Sequence, residues 1–141
     1  MNVPFLDLKT QNQSLFEEVF GLWEEIYGSA GFIGGAHVAD FEKEYGELIG
    51  AQSCLATASG TAALLVSLHV LGVDAGDEVL VLPYTFIASY NSILLCKALP
   101  VFVDTDPETF TIDPQDIESK ITERTTAIMP VHIYGIPCDM D

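Results

Sequence analysis

The chain contains 141 residues, of which 49% are hydrophobic, a proportion that argues against an intrinsically disordered polypeptide. It has 21 acidic and 5 basic side chains, so its formal net charge is -16. This charge excludes the basic surface that nucleic-acid binding requires, and it predicts repulsion from an anionic membrane. The length is that of one domain.

The start of the chain has neither a basic stretch nor an apolar run, so we expect no signal peptide. The uncharged segment 79–96 is interrupted by Pro83 and by several polar side chains. We therefore interpret it as a strand, a turn and a helix instead of a membrane span. The three cysteines are unevenly spaced and form no C-x-x-C motif, which predicts reduced thiols in a cytoplasmic protein without a metal site.

Residues 1–50 are predicted to form an N-terminal helical segment. Its first ten residues are expected to be extended, because they contain Pro4. A helix over 11–27 follows from apolar side chains at helical spacing, and the glycine-rich sequence GSAGFIGG at 28–35 predicts a loop. A second helix is predicted over 37–49, with Gly50 in the position that ends it.

Strands and helices alternate in 51–141, which we predict to be part of an α/β domain. The strands are continuous apolar runs, which are typical of a parallel sheet covered on both faces. Asp113 and Pro114 have the spacing of a helix N-cap and a first helical residue. The predicted strands are 54–58, 78–82, 101–103 and 127–131, and the predicted helices are 61–71, 86–97 and a short one after Asp113.

The helix predicted at 61–71 is apolar almost all round, so it requires cover on every side. In a domain of this size, such a helix indicates further protein, from a missing segment or from a second subunit.

The turn before this helix is the main candidate binding site. Its sequence is Ser59-Gly60-Thr61-Ala62, and it directs free backbone N–H groups and the positive end of the helix dipole to one point, where phosphate can bind. The alternative is that Ser59 or Thr61 is an ordinary helix N-cap. The sequence contains neither a Walker loop nor a G-x-G-x-x-G fingerprint.

Two further segments follow strands at the edge where α/β sheets bind ligands. Pro83-Tyr84-Thr85-Phe86 comes after strand 78–82, and an aromatic ring there could stack on a flat cofactor. The alternative is a core aromatic at the start of a helix. His132 comes after the last strand and could face the same crevice, or it could be a packed, hydrogen-bonded histidine.

Six segments in order resemble the amino-terminal part of the DegT/DnrJ/StrS family of sugar aminotransferases. They cover nearly the whole chain and are VPFLDLK (3–9), FIGG with FEKEYGELIGA (32–35 and 41–51), SGTAAL (59–64), LGVDAGDEVLVLPYTFIAS (71–89), PVFVDTDPETFTIDP (100–114) and ITERTTAIMPVHIYG (121–135). Members of this family use pyridoxal 5′-phosphate and have the aspartate-aminotransferase fold, fold type I. The resemblance therefore implies a mostly parallel sheet flanked by helices, as part of the large domain of that fold.

The resemblance also implies roles for individual residues. Gly60, Thr61 and Ala62 match the turn that holds the cofactor phosphate, and Phe86 matches the aromatic residue that stacks on the cofactor ring. The family transfers an amino group, usually from glutamate, to a nucleotide-linked keto-sugar in amino-sugar and polysaccharide biosynthesis. It works as a homodimer, and segments 3–9 and 32–35 match segments near the dimer interface and the sugar-nucleotide side of the site.

Family members are more than twice as long as this chain, which lacks the family's Schiff-base lysine and its E-D-x-x-Q motif. We therefore expect an N-terminal fragment that contains no catalytic residue and is inactive alone. One alternative is a non-catalytic regulatory or binding member of the family. Others are a fragment of a Rossmann-type sugar-nucleotide oxidoreductase or epimerase, and an α/β domain in which the turn at 59–61 is only a cap.

Overall fold

The computed structural model describes residues 3–140, which form two compact units that divide between Ala56 and Thr57. The first unit is helical and the second contains the sheet. The predicted boundary between residues 50 and 51 stays a prediction, and its outer limits, residues 1 and 141, lie outside the described residues.

Helix α1 of the first unit comprises Leu8–Ser29 and begins within the stretch that was expected to be extended. Asp7 causes this early start, because its carboxylate accepts hydrogen bonds from the N–H of Thr10 at 3.1 Å and from the hydroxyl of Thr10 at 2.7 Å. A side chain in this position satisfies a helix amide that has no partner within the helix. The prediction of extended chain is therefore wrong for residues 8–10.

Helix α2 comprises Ala36–Ile49, and Gly50 ends it with a φ of 69°, as predicted. Within the described residues, α1 has no buried side chain and α2 buries only Gly46. The apolar stripes of both helices are thus exposed in this unit. The exposed side chains of the two stripes include Leu15, Phe16, Val19, Phe20, Leu22, Trp23, Val38, Phe41, Tyr45 and Leu48.

The sheet of the second unit has three parallel strands in the order β2-β1-β3. The strands are β1 (Glu78–Val81), β2 (Leu99–Phe102) and β3 (Thr125–Met129). At the carboxyl edge of the sheet, Val81 lies beside Phe102 on one side and Met129 on the other. The predicted α/β class is confirmed, although both outer strands begin two residues earlier than predicted.

The helices of this unit are α3 (Gly60–Val70), α4 (Ala88–Leu95) and α5 (Pro114–Lys120). Side chains alternate along β1, so that Val79 and Val81 pack in a cluster with residues of α3 and α4. Leu80 packs on the opposite face, in a cluster that contains Ile112 and contacts Ile117 of α5. Both faces of β1 are therefore covered, as its continuous apolar sequence predicted.

Helix α3 is largely uncovered by the residues that the structure describes. Leu68 is its one buried residue, whereas Val66 and Val70 are 43% and 81% exposed. The expectation that further protein covers this helix stays a prediction. None of the helices within residues 3–140 combines the length and the hydrophobicity that a membrane crossing requires.

The strand predicted at 54–58 is absent, and this prediction is wrong. The N–H of Ala56 donates to the carboxylate of Glu42 at 2.7 Å, and the hydroxyl of Thr57 donates to the carbonyl of Ser59 at 3.0 Å. No strand among residues 3–140 pairs with this segment. A β-prone sequence becomes a strand only where a neighbouring backbone is available to complete the ladder.

The short helix α5 is capped as the sequence predicted. The carboxylate of Asp113 accepts the N–H of Gln115 at 2.9 Å, and Pro114 is the first helical residue. Lys120 then connects the helix to β2, since its ammonium group donates to the carboxylate of Asp116 at 2.6 Å and to the carbonyl of Phe102 at 2.7 Å.

A buried carboxylate stabilises the amino edge of the sheet. Glu78 is 5% exposed, and it accepts a hydrogen bond from the Thr122 hydroxyl at 2.6 Å and forms an ion pair with Arg124. Arg124 is the single arginine of the sequence. Because a buried carboxylate without partners is costly, this arginine is committed to the fold.

We expect Arg124→Ala to lower the free energy of unfolding by about 1–3 kcal/mol, because Glu78 then keeps a buried charge with less compensation. The effect falls short of that for a fully buried pair, since the Arg124 side chain is 64% exposed. Urea unfolding followed by circular dichroism measures it. Lys97→Ala is the matched control, because Lys97 is exposed and its side chain contacts no charged group among the described residues. Equal unfolding midpoints for the two variants would contradict the assignment.

Candidate functional site

The amino end of α3 presents hydrogen-bond donors that have no partner among residues 3–140. Ser59 caps the helix, and its Oγ accepts the N–H of Ala62 at 3.1 Å, while its carbonyl accepts the N–H of Ala63 at 2.9 Å. Within residues 3–140, no hydrogen bond is formed by the N–H of Gly60, the N–H of Thr61 or the hydroxyl of Thr61. Two amides and one hydroxyl are therefore available to a ligand.

These donors suit an anion. They lie at the positive end of an 11-residue helix, whose first turn contains no acidic side chain. Backbone amides and a hydroxyl carry no formal charge, so they can bind a phosphate group in a chain with few cations. Gly60 has open space where a Cβ would lie, which permits close approach of a ligand to the backbone.

An open cavity of about 510 Å³ connects these donors to an aromatic side chain. Gly60 and Thr61 line it together with Phe86, which is 77% exposed. Phe86 lies two residues before the start of α4, and its carbonyl accepts the N–H of Ser89 at 3.1 Å. The other lining residues are Ala63, Leu64, Ser67, Ala88 and Ser89.

The four predicted site residues differ in their placement. Gly60, Thr61 and Phe86 share the cavity, whereas Ala62 does not line it and its N–H is bonded to Ser59. The Ser59 side chain is a helix cap, as in the alternative interpretation, but this cap uses only the Ala62 amide. The cap therefore leaves the N–H groups of Gly60 and Thr61 without a partner among residues 3–140.

The residues of the cavity fit a phosphorylated aromatic ring. Donors at one end suit the phosphate, and the exposed ring of Phe86 suits stacking on a flat group. This fit comes from the donor set and from the exposed aromatic surface. Within the described residues, no group of three metal-binding side chains is present.

A pair of tyrosines at the same edge was not predicted. The hydroxyls of Tyr84, which follows β1, and Tyr134, which follows β3, lie 3.3 Å apart. The hydrogen bond with Tyr84 raises the pKa of Tyr134 above its usual value. Tyr134 has a left-handed backbone with a φ of 53°, which a sequence pattern does not reveal.

His132 lies outside the cavity that Gly60, Thr61 and Phe86 line. It is exposed, and its Nδ1 accepts the N–H of Cys138 at 3.0 Å. The alternative was a packed, hydrogen-bonded histidine. The hydrogen bond is present, but the side chain is exposed and therefore not packed.

A larger cavity, of about 640 Å³, lies on the first unit beside α1. Its lining is mostly aromatic and includes Phe20, Trp23, Tyr27 and Phe32. Among the lining residues, only Glu24 has a side chain with a carboxylate or an amine. This composition offers contact area but no set of groups for acid–base or nucleophilic chemistry.

Comparison with known proteins gives a consistent result. Residues 13–141 match the model of the DegT/DnrJ/EryC1/StrS aminotransferase family. The chain is 41% identical over 139 residues to a dTDP-3-amino-3,6-dideoxy-alpha-D-galactopyranose transaminase of Aneurinibacillus thermoaerophilus, with 99% of this chain and 38% of the relative covered. It is also 41% identical over 141 residues to a protein named pleiotropic regulatory protein of Geobacillus stearothermophilus, with 100% of this chain and 38% of the relative covered.

The crystal structure of NtdA from Bacillus subtilis with bound cofactor PMP is similar to this chain at a TM-score of 0.94 and 36% identity. The similarity covers 99% of this chain and 32% of that one. The chain thus spans about 38% of the length of the two curated relatives. This proportion fits the expectation that it corresponds to part of a longer polypeptide.

The two roles of the turn at α3 predict different effects on stability. Ser59→Ala removes the cap and should lower the free energy of unfolding by about 1 kcal/mol. Thr61→Val should leave it within about 0.5 kcal/mol, because the Thr61 hydroxyl has no partner among residues 3–140. Urea unfolding of the two variants and the wild type tests this difference. A larger loss in Thr61→Val than in Ser59→Ala would show that Thr61 is the structural residue.

Proposed function

Because this chain belongs to the DegT/DnrJ/EryC1/StrS aminotransferase family, we propose that it forms the cofactor-phosphate side of a pyridoxal-phosphate-dependent sugar aminotransferase. The whole protein transfers an amino group from glutamate to a nucleotide-linked keto-sugar. The observation that carries the proposal is the cavity in which the unpaired amides of Gly60 and Thr61 lie with the exposed ring of Phe86.

In this proposal, Gly60 and Thr61 bind the phosphate of the cofactor through two N–H groups and a hydroxyl. Ala62 holds the turn in shape through its bond with Ser59. Phe86 stacks on the ring and excludes water from one of its faces. Pyridoxal phosphate, when bound, supplies an electron-withdrawing ring that allows the amino group to be transferred.

The relatives support the substrate class. The protein from Aneurinibacillus thermoaerophilus is named for a dTDP-linked amino sugar, and a nucleotide-linked keto-sugar is the corresponding acceptor. The 141 residues contain no lysine that matches the family's catalytic motif, so the chain by itself is proposed to be inactive. The lysine and the pyridine-binding Asp belong to segments that this sequence does not contain.

We also propose that the whole protein is a cytoplasmic homodimer. The exposed apolar stripes of α1 and α2 support association, because monomeric proteins rarely leave such large patches uncovered.

A second candidate is a non-catalytic regulatory member of the family. One observation favours it, namely the name of the relative from Geobacillus stearothermophilus, pleiotropic regulatory protein. The two candidates share the cofactor cavity and differ in the Schiff-base lysine, so an activity assay separates them.

The first test is an assay of transamination. It uses a longer polypeptide, in which these 141 residues are followed by the segment that contains the family's Schiff-base lysine. We expect this polypeptide to convert a dTDP- or UDP-linked keto-sugar to the amino sugar with glutamate as donor, as detected by mass spectrometry of the product. The same polypeptide with that lysine replaced by alanine is the control, and the 141-residue chain should give no product. Cofactor binding without turnover on any such substrate would favour the regulatory candidate.

The second test concerns the cofactor contacts in the same polypeptide. Thr61→Val removes one hydrogen bond to a charged phosphate, worth about 1.5–3 kcal/mol, so the cofactor affinity should fall roughly 10- to 150-fold. Phe86→Ala should weaken binding through the loss of stacking and should shift the absorbance of the bound cofactor. Absorbance titration measures both. Ser67→Ala is the control on the cavity wall, since Ser67 lies more than one helical turn beyond Thr61 on α3. Unchanged affinity in both Thr61→Val and Phe86→Ala would place the phosphate and ring contacts elsewhere.

A further inference from the structure

One ring nitrogen of His132 is hydrogen-bonded to the backbone. Its Nδ1 accepts the N–H of Cys138 at 3.0 Å. A backbone amide can only donate, so Nδ1 must carry a lone pair, and the proton of the neutral ring is on Nε2. Cys138 itself is 5% exposed, and its thiol donates to the carbonyl of Val131 at 3.2 Å. The turn between β3 and Cys138 is thus closed by two hydrogen bonds.

The second nitrogen of this ring has no partner in the part of the chain that the structure describes. No hydrogen bond or ion pair joins Nε2 of His132 to any residue in 3–140, and the side chain is exposed. The structural role of His132 therefore requires only an acceptor at Nδ1. An N–H donor is left over at Nε2.

The sheet places this donor at the edge that carries the candidate site. Val81 and Met129 are partners in adjacent parallel strands, so Tyr84 and His132 each lie three residues beyond that pair. The contact between the hydroxyls of Tyr84 and Tyr134 joins the two loops directly. Phe86 is two residues beyond Tyr84, and its ring lines the cavity with Gly60.

We propose that His132 is a ligand-contacting residue of the candidate site, which donates a hydrogen bond from Nε2 to an oxygen atom of the bound ligand. The inference rests on the proposed function, which supplies an oxygen-rich anionic ligand. In a chain of net charge -16, a ring N–H donor binds such an oxygen in the same manner as the amides of Gly60 and Thr61. The oxygen belongs either to the phosphorylated cofactor or to the nucleotide sugar, and the experiment below distinguishes these sources.

Two substitutions separate the structural nitrogen from the ligand-binding one. In His132→Asn, the side-chain oxygen can take the place of Nδ1 and accept the Cys138 N–H, but no donor remains at the Nε2 position. In His132→Gln, the amide NH₂ can take the place of Nε2, but the acceptor at Nδ1 is lost. We therefore expect His132→Asn to keep the urea midpoint of the wild type and His132→Gln to lower it.

Binding is measured on the 141-residue chain by ¹⁵N NMR with two probes, pyridoxamine 5′-phosphate and UDP-N-acetylglucosamine. The first probe has no aldehyde, so it does not modify surface lysines. In the wild type, the His132 ring should show the Nε2–H tautomer, and its Nε2 signal should move with at least one probe, together with the amides of Gly60 and Thr61. The probe that moves it identifies the source of the oxygen. The affinity for that probe should fall roughly 2- to 12-fold in His132→Asn, the effect of one ordinary hydrogen bond, and should be retained in His132→Gln.

The outcomes separate this inference from the proposed function. If the amides of Gly60 and Thr61 respond but the His132 signal does not, or if His132→Asn binds as the wild type does, the inference is wrong and the proposed function stands. If neither probe moves Gly60 or Thr61, both are overturned. An Nδ1–H tautomer in the wild type also overturns the inference. If His132→Asn does not fold, two other measurements test the inference. The Nε2 signal of the wild type should move with a probe, and His132→Gln should bind that probe as the wild type does.

Discussion

The burial of β1 is the constraint on which the second unit depends. Its apolar residues Val79, Leu80 and Val81 are fully buried, with alternate side chains in two different clusters. Each such side chain contributes on the order of 1.5–3 kcal/mol when it leaves water. A shift of the strand by one residue would exchange the two faces, so the register with β2 and β3 is strongly specified. This register fixes the point at which the loops after β1 and β3 begin.

The scarcity of cations determines how this chain can bind an anion. Two of its five basic side chains are used by the fold, since Arg124 pairs with Glu78 and Lys120 connects α5 to β2. The amides of Gly60 and Thr61 at the start of α3 are uncharged donors without a partner among residues 3–140. In the proposed site, the helix end takes the role that lysine and arginine have in more basic proteins.

Much of the fold could be predicted from local sequence. Gly50 and the Asp113-Pro114 pair each depend on interactions within a few residues, and the structure contains both features. The strand β1 was predicted from its continuous apolar run. Segment 54–58 could not be predicted in this way, because a strand depends on a neighbour that is distant in sequence. The start of α1 was missed for a different reason. The extended conformation expected from Pro4 does not continue beyond Asp7, because the Asp7 carboxylate caps the helix at the N–H of Thr10.

The candidate site also contains features that the sequence predicts and features that it does not. Phe86 follows β1, so its place beyond a strand end follows from the order of the elements. Gly60 and Thr61 follow a segment that is not a strand, and only the structure shows that they share a cavity with Phe86. The contact between Tyr84 and Tyr134 depends on a left-handed residue in the loop after β3, which the sequence does not reveal. Ala62 shows the limit of motif matching, because its amide is used by the Ser59 side chain, and only the side-chain conformation decides this.

Donors at the end of α3 do not titrate, and this has a consequence for the pH range of the site. A lysine or histidine that held a phosphate would weaken its hold as it lost its proton, whereas a backbone amide keeps its proton at every physiological pH. Anion binding at this turn then follows the ionisation of the ligand alone, with a phosphate monoester gaining its second charge near a pH of about 6. An enzyme built on such a turn retains its cofactor under alkaline conditions that would release it from a site made of titrating side chains.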